Sequence, residues 1–299
     1  MTKPIERMRE ELVRRNYAET TIHSYLRIVE DFREHSGKRL DYAGPDDIRQ
    51  YQVHLLEERK LAVRTVVQHV AAVRFLYCKT LKRHDMKEDL PYPRNYRRTL
   101  PIILSPEEAV RLIDSARNLL HRAMLMTLYS CGLRRIELCR LKVSDIDGQR
   151  LVLRVEHGKG GVDRDVPISP KLIETLRDYW RWMRPKTYLF PGTVNGWRAD
   201  KPISPKMVWA AVRYAAEKAG IDKPVSPHTL RHSYATHQLE AGVELKTLQD
   251  LLGHEDLATT SLYLHLSKKH LQAVTTPLDR INIQGPANVP LSRRLLKSK

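Results

Sequence analysis

The chain has 299 residues, 41% of them hydrophobic, enough for one large or two ordinary cores and too many for a wholly disordered polymer. No apolar run approaches the roughly 18–20 residues of a membrane helix, the opening Met1–Arg7 is too charged to begin a signal peptide, and three cysteines without a CxxC pair argue against a disulfide framework or zinc ribbon and fit a reducing cytoplasm. Lysine and arginine number 52 against 35 acidic residues, a net charge of +17 that favours a polyanionic partner over a merely basic surface. With no long basic amphipathic helix carrying exposed aromatics, nucleic acid is favoured over membrane.

In chain order, residues 5 to about 81 read as four helices. Ile5, Met8 and Leu12 mark the first, Ile22, Tyr25, Leu26 and Val29 the second. Ile48, Tyr51 and Leu55 mark the third, Val66, Val70, Val73 and Tyr77 the fourth. Each set follows the three-and-four spacing that gathers apolar side chains on one helical face. Gly37 and Gly44-Pro45-Asp46 punctuate them. From Lys82 to Pro101 the pattern breaks: Pro91, Pro93 and Pro101 interrupt any helix among six basic residues, and an extended connector is expected.

Ser105-Pro106-Glu107-Glu108 is a capping box with proline at the first helical position, and Ser169-Pro170, Ser204-Pro205 and Ser226-Pro227 repeat the start. Helical patterns dominate to about residue 275. One interruption, Leu151–Val155, His157–Gly161 and Asp163–Val166, reads as strand, glycine turn, strand. The end, from Ile281, reads as a flexible basic tail. The fold class expected is mostly α with a small β-hairpin or sheet. The domains expected are a helical bundle over 1–84, a basic linker over 85–101, a second domain over 102–280 and a tail over 281–299.

Four clusters are rich in reactive side chains. Arg134 and Glu137 stand three apart after Gly132, so they share a helical face; this suits either an arginine fork aimed at a phosphate or a plain surface ion pair. Lys159 sits between glycines at the hairpin tip, as a ligand contact or a solvated turn residue. His228 and Arg231 face the same way, suited to proton transfer and charge clamping at a phosphate. His228 and His232 have the spacing of metal ligands, but the glutamate of HExxH and a clear third ligand are missing; His232 and His237 read as structural or exposed. Gly253 reads as a helix stop, His254 sits in the connection after it, and Tyr263 falls on the next helix, by itself an ordinary core tyrosine. Together, two arginines, two histidines, a lysine and a tyrosine make up what phosphoryl transfer through a tyrosyl intermediate requires. The cations clamp the phosphate, a base takes the phenol proton and an acid protonates the departing oxygen; no metal is needed.

These residues resemble the tyrosine recombinase (phage integrase) family. The matching blocks, in family order, are Gly132-Leu133-Arg134-x-x-Glu137-Leu138, Gly158-Lys159-Gly160, His228-x-Leu230-Arg231-His232-x-x-Ala235-Thr236, Leu252-Gly253-His254 and Thr259-Thr260-x-x-Tyr263-x-His265. The similarity spans about residues 5 to 275 and is closest in size to chromosome-dimer-resolving recombinases and mobile-element integrases. The resemblance implies a two-domain clamp on DNA and a site-specific recombinase that works in the cytoplasm without cofactor or ATP. Tyr263 would be the nucleophile, keeping the 3′ end as a phosphotyrosine. Arg134 and Arg231 would clamp the non-bridging oxygens, Lys159 protonate the leaving 5′ oxygen, His228 assist proton transfer at the tyrosine, His254 hydrogen-bond the phosphate and Glu137 orient the first arginine. The partners implied are double-stranded DNA with inverted half-sites and three further copies of the chain in a homo-tetramer, with the segment from about Lys268 to Leu278 docking on a neighbour; no membrane is involved.

The chain departs from the family pattern at Val162 and Asp163, where many relatives carry a second basic residue, and at Arg135, where a smaller residue is common; the Glu137 spacing favours Arg134 as the clamp. The helices near Thr65–Lys82 and Ser204–Ala219 are the candidates for reading bases. A catalytically inactive DNA-binding protein of the same fold and a topoisomerase-like relaxing enzyme are the alternatives.

Overall fold

The computed structural model describes residues 3–88, 90–94, 100–156, 163–194, 197–254 and 256–264. Lys159, His265, the segment expected to dock on a neighbour and the tail from 281 lie outside the described residues. The chain divides into two compact units, Met1–Thr99 and Leu100–Lys299.

The first unit is a helical bundle of α1 (Lys3–Arg14), α2 (Glu19–Ser36), α3 (Pro45–Val53) and α4 (Val63–Arg74). The apolar residues expected on one face of each helix are buried, except Tyr25, which is half-buried against the same core. α2 stops where Gly37 turns left-handed (φ 64°) and its N–H bonds the Arg33 carbonyl. α3 starts where the Asp47 carboxylate accepts the Gly44 N–H at 2.9 Å. α3 and α4 each continue into a π-helical turn, His54–Glu58 and Phe75–Thr80. A polar knot crosses the bundle: the Tyr51 hydroxyl lies 2.7 Å from both Asp31 Oδ2 and His69 Nδ1, and Arg59 donates to the same carboxylate at 2.7 Å. The stretch expected to run extended from Lys82 instead opens with a 3-10 turn at His84–Lys87. Met86 and Leu90 enter the core, and Arg83 donates to the Ala43 carbonyl at 3.1 Å. The prolines that forbid helix begin only at Pro91, leaving the residues before it free to turn and bury.

The second unit carries α5 (Pro106–Asp114), α6 (Leu119–Cys131), α7 (Arg135–Arg140), α8 (Pro170–Met183), α9 (Pro205–Lys218), α10 (Pro227–Glu240), α11 (Leu245–Leu252) and α12 (Leu257–Ser261). All four Ser-Pro starts form. The hydroxyls of Ser105, Ser169, Ser204 and Ser226 accept the N–H groups of Glu108, Leu172, Met207 and Thr229 at 3.2, 3.2, 3.2 and 3.3 Å. The expected hairpin is the larger part of an antiparallel sheet of β1 (Ile146–Asp147), β2 (Val152–Val155) and β3 (Arg164–Pro167), with Leu153 opposite Val166 and Val155 opposite Arg164.

A second hairpin, β4 (Pro191–Val194) and β5 (Trp197–Pro202), also interrupts the helices, where only one interruption was expected. Its strands are bounded by Pro191 and Pro202 and carry Asp200 and Lys201, so no alternation announces it. α6 and α10 are the central helices. Ala123 to Leu128 are buried in succession on α6, and Ser233 to Thr236 on α10, which shields α10 from water on most of its circumference.

Candidate active site

α6 ends at Gly132 in the left-handed region (φ 57°), and Arg134 then turns extended to become the N-cap of α7. Glu137 lies one turn into α7 and reaches back. Its Oε2 accepts the Arg134 N–H at 2.8 Å and its Oε1 the Arg134 Nη1 at 2.6 Å. The three-residue spacing thus gives an ion pair fused with a helix cap. The other face of this carboxylate meets Arg164 of β3, whose Nη1 and Nη2 donate to Oε1 and Oε2 at 3.1 and 2.7 Å. Burial alone would raise the Glu137 carboxyl, but Arg164 and Arg134 overcome that and hold it at about 2.

Arg231 enters from α10, only 3% exposed. Its Nη1 donates to the Gly132 carbonyl and its Nη2 to the Leu252 carbonyl, both at 2.7 Å. Burial, and next the charge of Arg134, lower its pKa to about 10, so it stays a cation at neutral pH. The C-terminal end of α11 is where the arginines converge. Arg164 Nε donates to Leu251 O at 2.8 Å, Arg231 to Leu252 O, and Arg134 Nη2 to Gly253 O at 2.8 Å. Three consecutive carbonyls, left without intrahelical donors at the negative end of the helix dipole, each take one guanidinium from a different element. Against three cations stands one carboxylate, which leaves the cleft positive.

His254 follows directly. Its Nε2 lies 3.0 Å from Arg231 Nη2, and arginine can only donate, so Nε2 accepts. Nδ1 then carries the proton toward Thr260 Oγ1 at 2.9 Å. Burial, then Arg231 and Arg134, push the His254 imidazole down to about 4, so it is neutral.

Tyr263 does not lie on a helix as expected. α12 stops at Ser261, and Tyr263 sits in the turn after it, its N–H on Thr260 O at 3.0 Å. Its ring stands parallel to that of His254, centroids 6.4 Å apart with 10° between planes, and its side chain is 2% exposed. The phenol oxygen lies 3.0 Å from His232 Nδ1. Burial raises its pKa, opposed by the charges of Arg231 and Arg134.

The structure therefore brings together Arg134, Glu137, Arg231, His254 and Tyr263, and adds two residues to which the sequence alone gave no part at the phosphate. His232, read as structural or exposed, is the one that meets the phenol; burial first, then His228 and Arg231, lower its pKa to about 4. His228 stands at the exposed start of α10, its ring 6.4 Å from that of His232, its pKa lowered by desolvation and then by Arg231 and Arg135. Among the described residues, no group of three or more histidine, cysteine, aspartate or glutamate side chains is placed to hold a metal ion around His228 and His232. Arg164 is the second addition. The available signal was its strand register: it lies on the face of Val166, which is buried, and a charge on a buried face demands a partner.

The sequence profile of the phage integrase family matches residues 103–270, and that of the phage integrase N-terminal SAM-like domain matches residues 5–85. A Sinorhizobium fredii protein assigned to the integrase/recombinases, y4qK, is 45% identical over 291 residues, covering 97% of this chain and 93% of that one. A tyrosine recombinase of Thermosipho africanus is 33% identical over 279 residues, 89% of this chain and 96% of that one. Among solved structures, a lambda integrase tetramer bound to a Holliday junction is similar in fold, with a TM-score of 0.69 at 19% identity over 87% of this chain and 76% of that one.

Proposed function

The chain belongs to the phage integrase family of tyrosine recombinases and is a site-specific DNA recombinase, and from that premise we propose that Tyr263 cuts and rejoins duplex DNA within the cleft of Arg134, Arg231 and His254. The observation that carries the reading is the convergence of two guanidinium groups, a neutral imidazole and a phenol in one positive cleft.

In this reading the scissile phosphate takes up guanidinium donors of Arg134 and Arg231, and His254 donates to it once its proton moves from Nδ1 to Nε2 and Nε2 gives up Arg231. The Tyr263 oxygen forms a bond to phosphorus while the bond to the 5′ oxygen breaks. The phenol proton passes to an imidazole, assigned to His228, and Lys159 supplies a proton to the leaving oxygen. The ester retains the bond energy, so a 5′ hydroxyl can reverse the step without ATP. Attack requires the phenol to leave its buried position and give up His232, because a tyrosine only 2% exposed cannot reach a duplex.

The partner is double-stranded DNA with inverted half-sites, bound by a homo-tetramer in the cytoplasm on behalf of a mobile element or a chromosome. The +17 charge and the tetrameric likeness on a Holliday junction support this. The domain plan is a DNA-binding bundle over 1–84, a connector over 85–101, a catalytic domain over 102–280 and a basic tail, supported by family matches at 5–85 and 103–270. On α9, Met207 and Trp209 are exposed and Arg213 lies over the Trp209 ring at 5.5 Å, which supports α9 as a DNA-facing helix.

The test is a nicked duplex library with randomised half-sites, incubated with the full chain and recovered as denaturation-resistant adducts. Wild type is expected to enrich one half-site and Tyr263→Phe to yield none. Adduct formation that survives Tyr263→Phe, or no adduct with any sequence, rejects the assignment.

A further inference from the structure

The hairpin strand β3 buries a charged group for which phosphate chemistry has no use. The Arg164 side chain is 6% exposed and its donors are spent inside the protein: Nε on Leu251 O, Nη1 and Nη2 on the two oxygens of Glu137. All three of its nitrogens are thus engaged with Glu137 and the end of α11. We propose that Arg164 is a positioning residue for Arg134: it locks the Glu137 carboxylate and the end of α11 in the one arrangement that aims the Arg134 guanidinium. The proposal rests on Arg134 being a phosphate clamp.

Three observations carry it. First, each Glu137 oxygen is shared, one donor from Arg134 and one from Arg164, so the carboxylate is a rigid bridge between the two. A parallel fork fixes the carboxylate plane, which a lysine, with one nitrogen, cannot do. Second, the remaining anchor of Arg134, the Gly253 carbonyl, is braced by the same side chain. A Cβ on Gly253 would stand 3.1 Å from Arg164 Nη1 and 3.2 Å from its Cδ, and Gly253 is left-handed at φ 61°. The glycine both ends α11 and makes room for the guanidinium. Third, without Arg164 the buried carboxylate keeps its bonds to Arg134 but loses the fork on its far side; of the other groups that face it, Arg231 stands at 3.9 Å with its own donors on Gly132 O and Leu252 O, beside the neutral His254 and His228 at the start of α10. Arg134 then rests on Glu137 and the Gly253 carbonyl, both of which have lost their brace, and roughly 1 Å of misplacement costs about 100-fold in rate. β3 leaves the hairpin five residues after Lys159, so the same contact ties that hairpin to the clamp arginine.

The experiment uses the full chain and the nicked duplex that wild type enriches. Arg164→Met, Arg164→Lys and Arg164→Met with Glu137→Gln are compared for single-turnover cleavage at saturating duplex, duplex affinity, pH profile and cooperative melting. Arg164→Met is expected to cleave about 100-fold more slowly with affinity changed by less than about threefold, and Arg164→Lys to recover little of the loss. In Arg164→Met the Glu137 carboxyl loses its main cationic partner and titrates higher. Cleavage should then fall with decreasing pH earlier than in wild type, and adding Glu137→Gln should abolish that shift. Arg164→Met or Arg164→Lys cleaving within about twofold of wild type overturns the proposal. So does a loss of cleavage matched in all three variants by equal losses of binding and melting. If wild type itself forms no Tyr263-dependent adduct, the recombinase mechanism fails instead.

Discussion

Gly132→Ala tests how tightly the end of α6 is built against α10. Gly132 is left-handed (φ 57°), which costs an L-residue about 1 kcal/mol. The steric clash costs more. A Cβ there would lie 2.3 Å from Tyr234 Cδ1 and 2.7 Å from Cε1, in the ring of a side chain only 6% exposed. The ring must move within a filled core, at about 1–3 kcal/mol. The variant is therefore expected to lose about 2–4 kcal/mol of stability. The shift also reaches the cleft, because the Gly132 carbonyl holds Arg231 Nη1 at 2.7 Å. All four tryptophans (180, 182, 197 and 209) belong to the second unit, so urea unfolding followed by tryptophan fluorescence reports that unit alone. The clash can be isolated in a Tyr234→Ala background. There Gly132→Ala should cost only the backbone strain, giving a coupling of about 1–3 kcal/mol. A cost below about 0.5 kcal/mol, or equal costs in the two backgrounds, would refute the reasoning.

Acid stability offers a second check. Glu137 sits at about 2 in the folded chain against an ordinary 4.5, so its contribution is fully present above pH 4.5 and is lost as pH falls from there through about 2. About 3 kcal/mol of stability should disappear over that window, and Glu137→Gln should flatten this part of the profile; identical acid limbs would contradict it. A third concerns the phenol. Tyr263 is 2% exposed and Tyr42 73%, so N-acetylimidazole followed by mass spectrometry should label Tyr42 at least roughly tenfold faster in the DNA-free chain, with His232→Ala accelerating Tyr263. Equal labelling of the two in wild type would contradict the sheltered position.

Local grammar accounts for what was legible in the sequence. Serine, proline and a donor three residues on form a cap within a single turn, so all four Ser-Pro starts could be read directly. Gly37, Gly132 and Gly253 stop helices because each adopts a left-handed backbone that side chains resist. Arg134 and Glu137 pair because three residues separate them on one turn. The second hairpin is not legible because its strands lack alternation, nor is the turn at His84–Lys87, because its burial depends on a core assembled from distant helices.

By itself, then, the chain's chemistry determined the helices, their ends and the set of reactive groups, since each depends on neighbours within a few positions. Only the tertiary structure decided which imidazole meets the phenol, 31 residues away, and that a strand arginine grips Glu137 across 27 residues. Nothing local distinguishes His232 from His228, or Arg164 from any other strand cation. A buried charge becomes tolerable only where the fold supplies its partners, and here they are one carboxylate and the bare carbonyls at the end of α11.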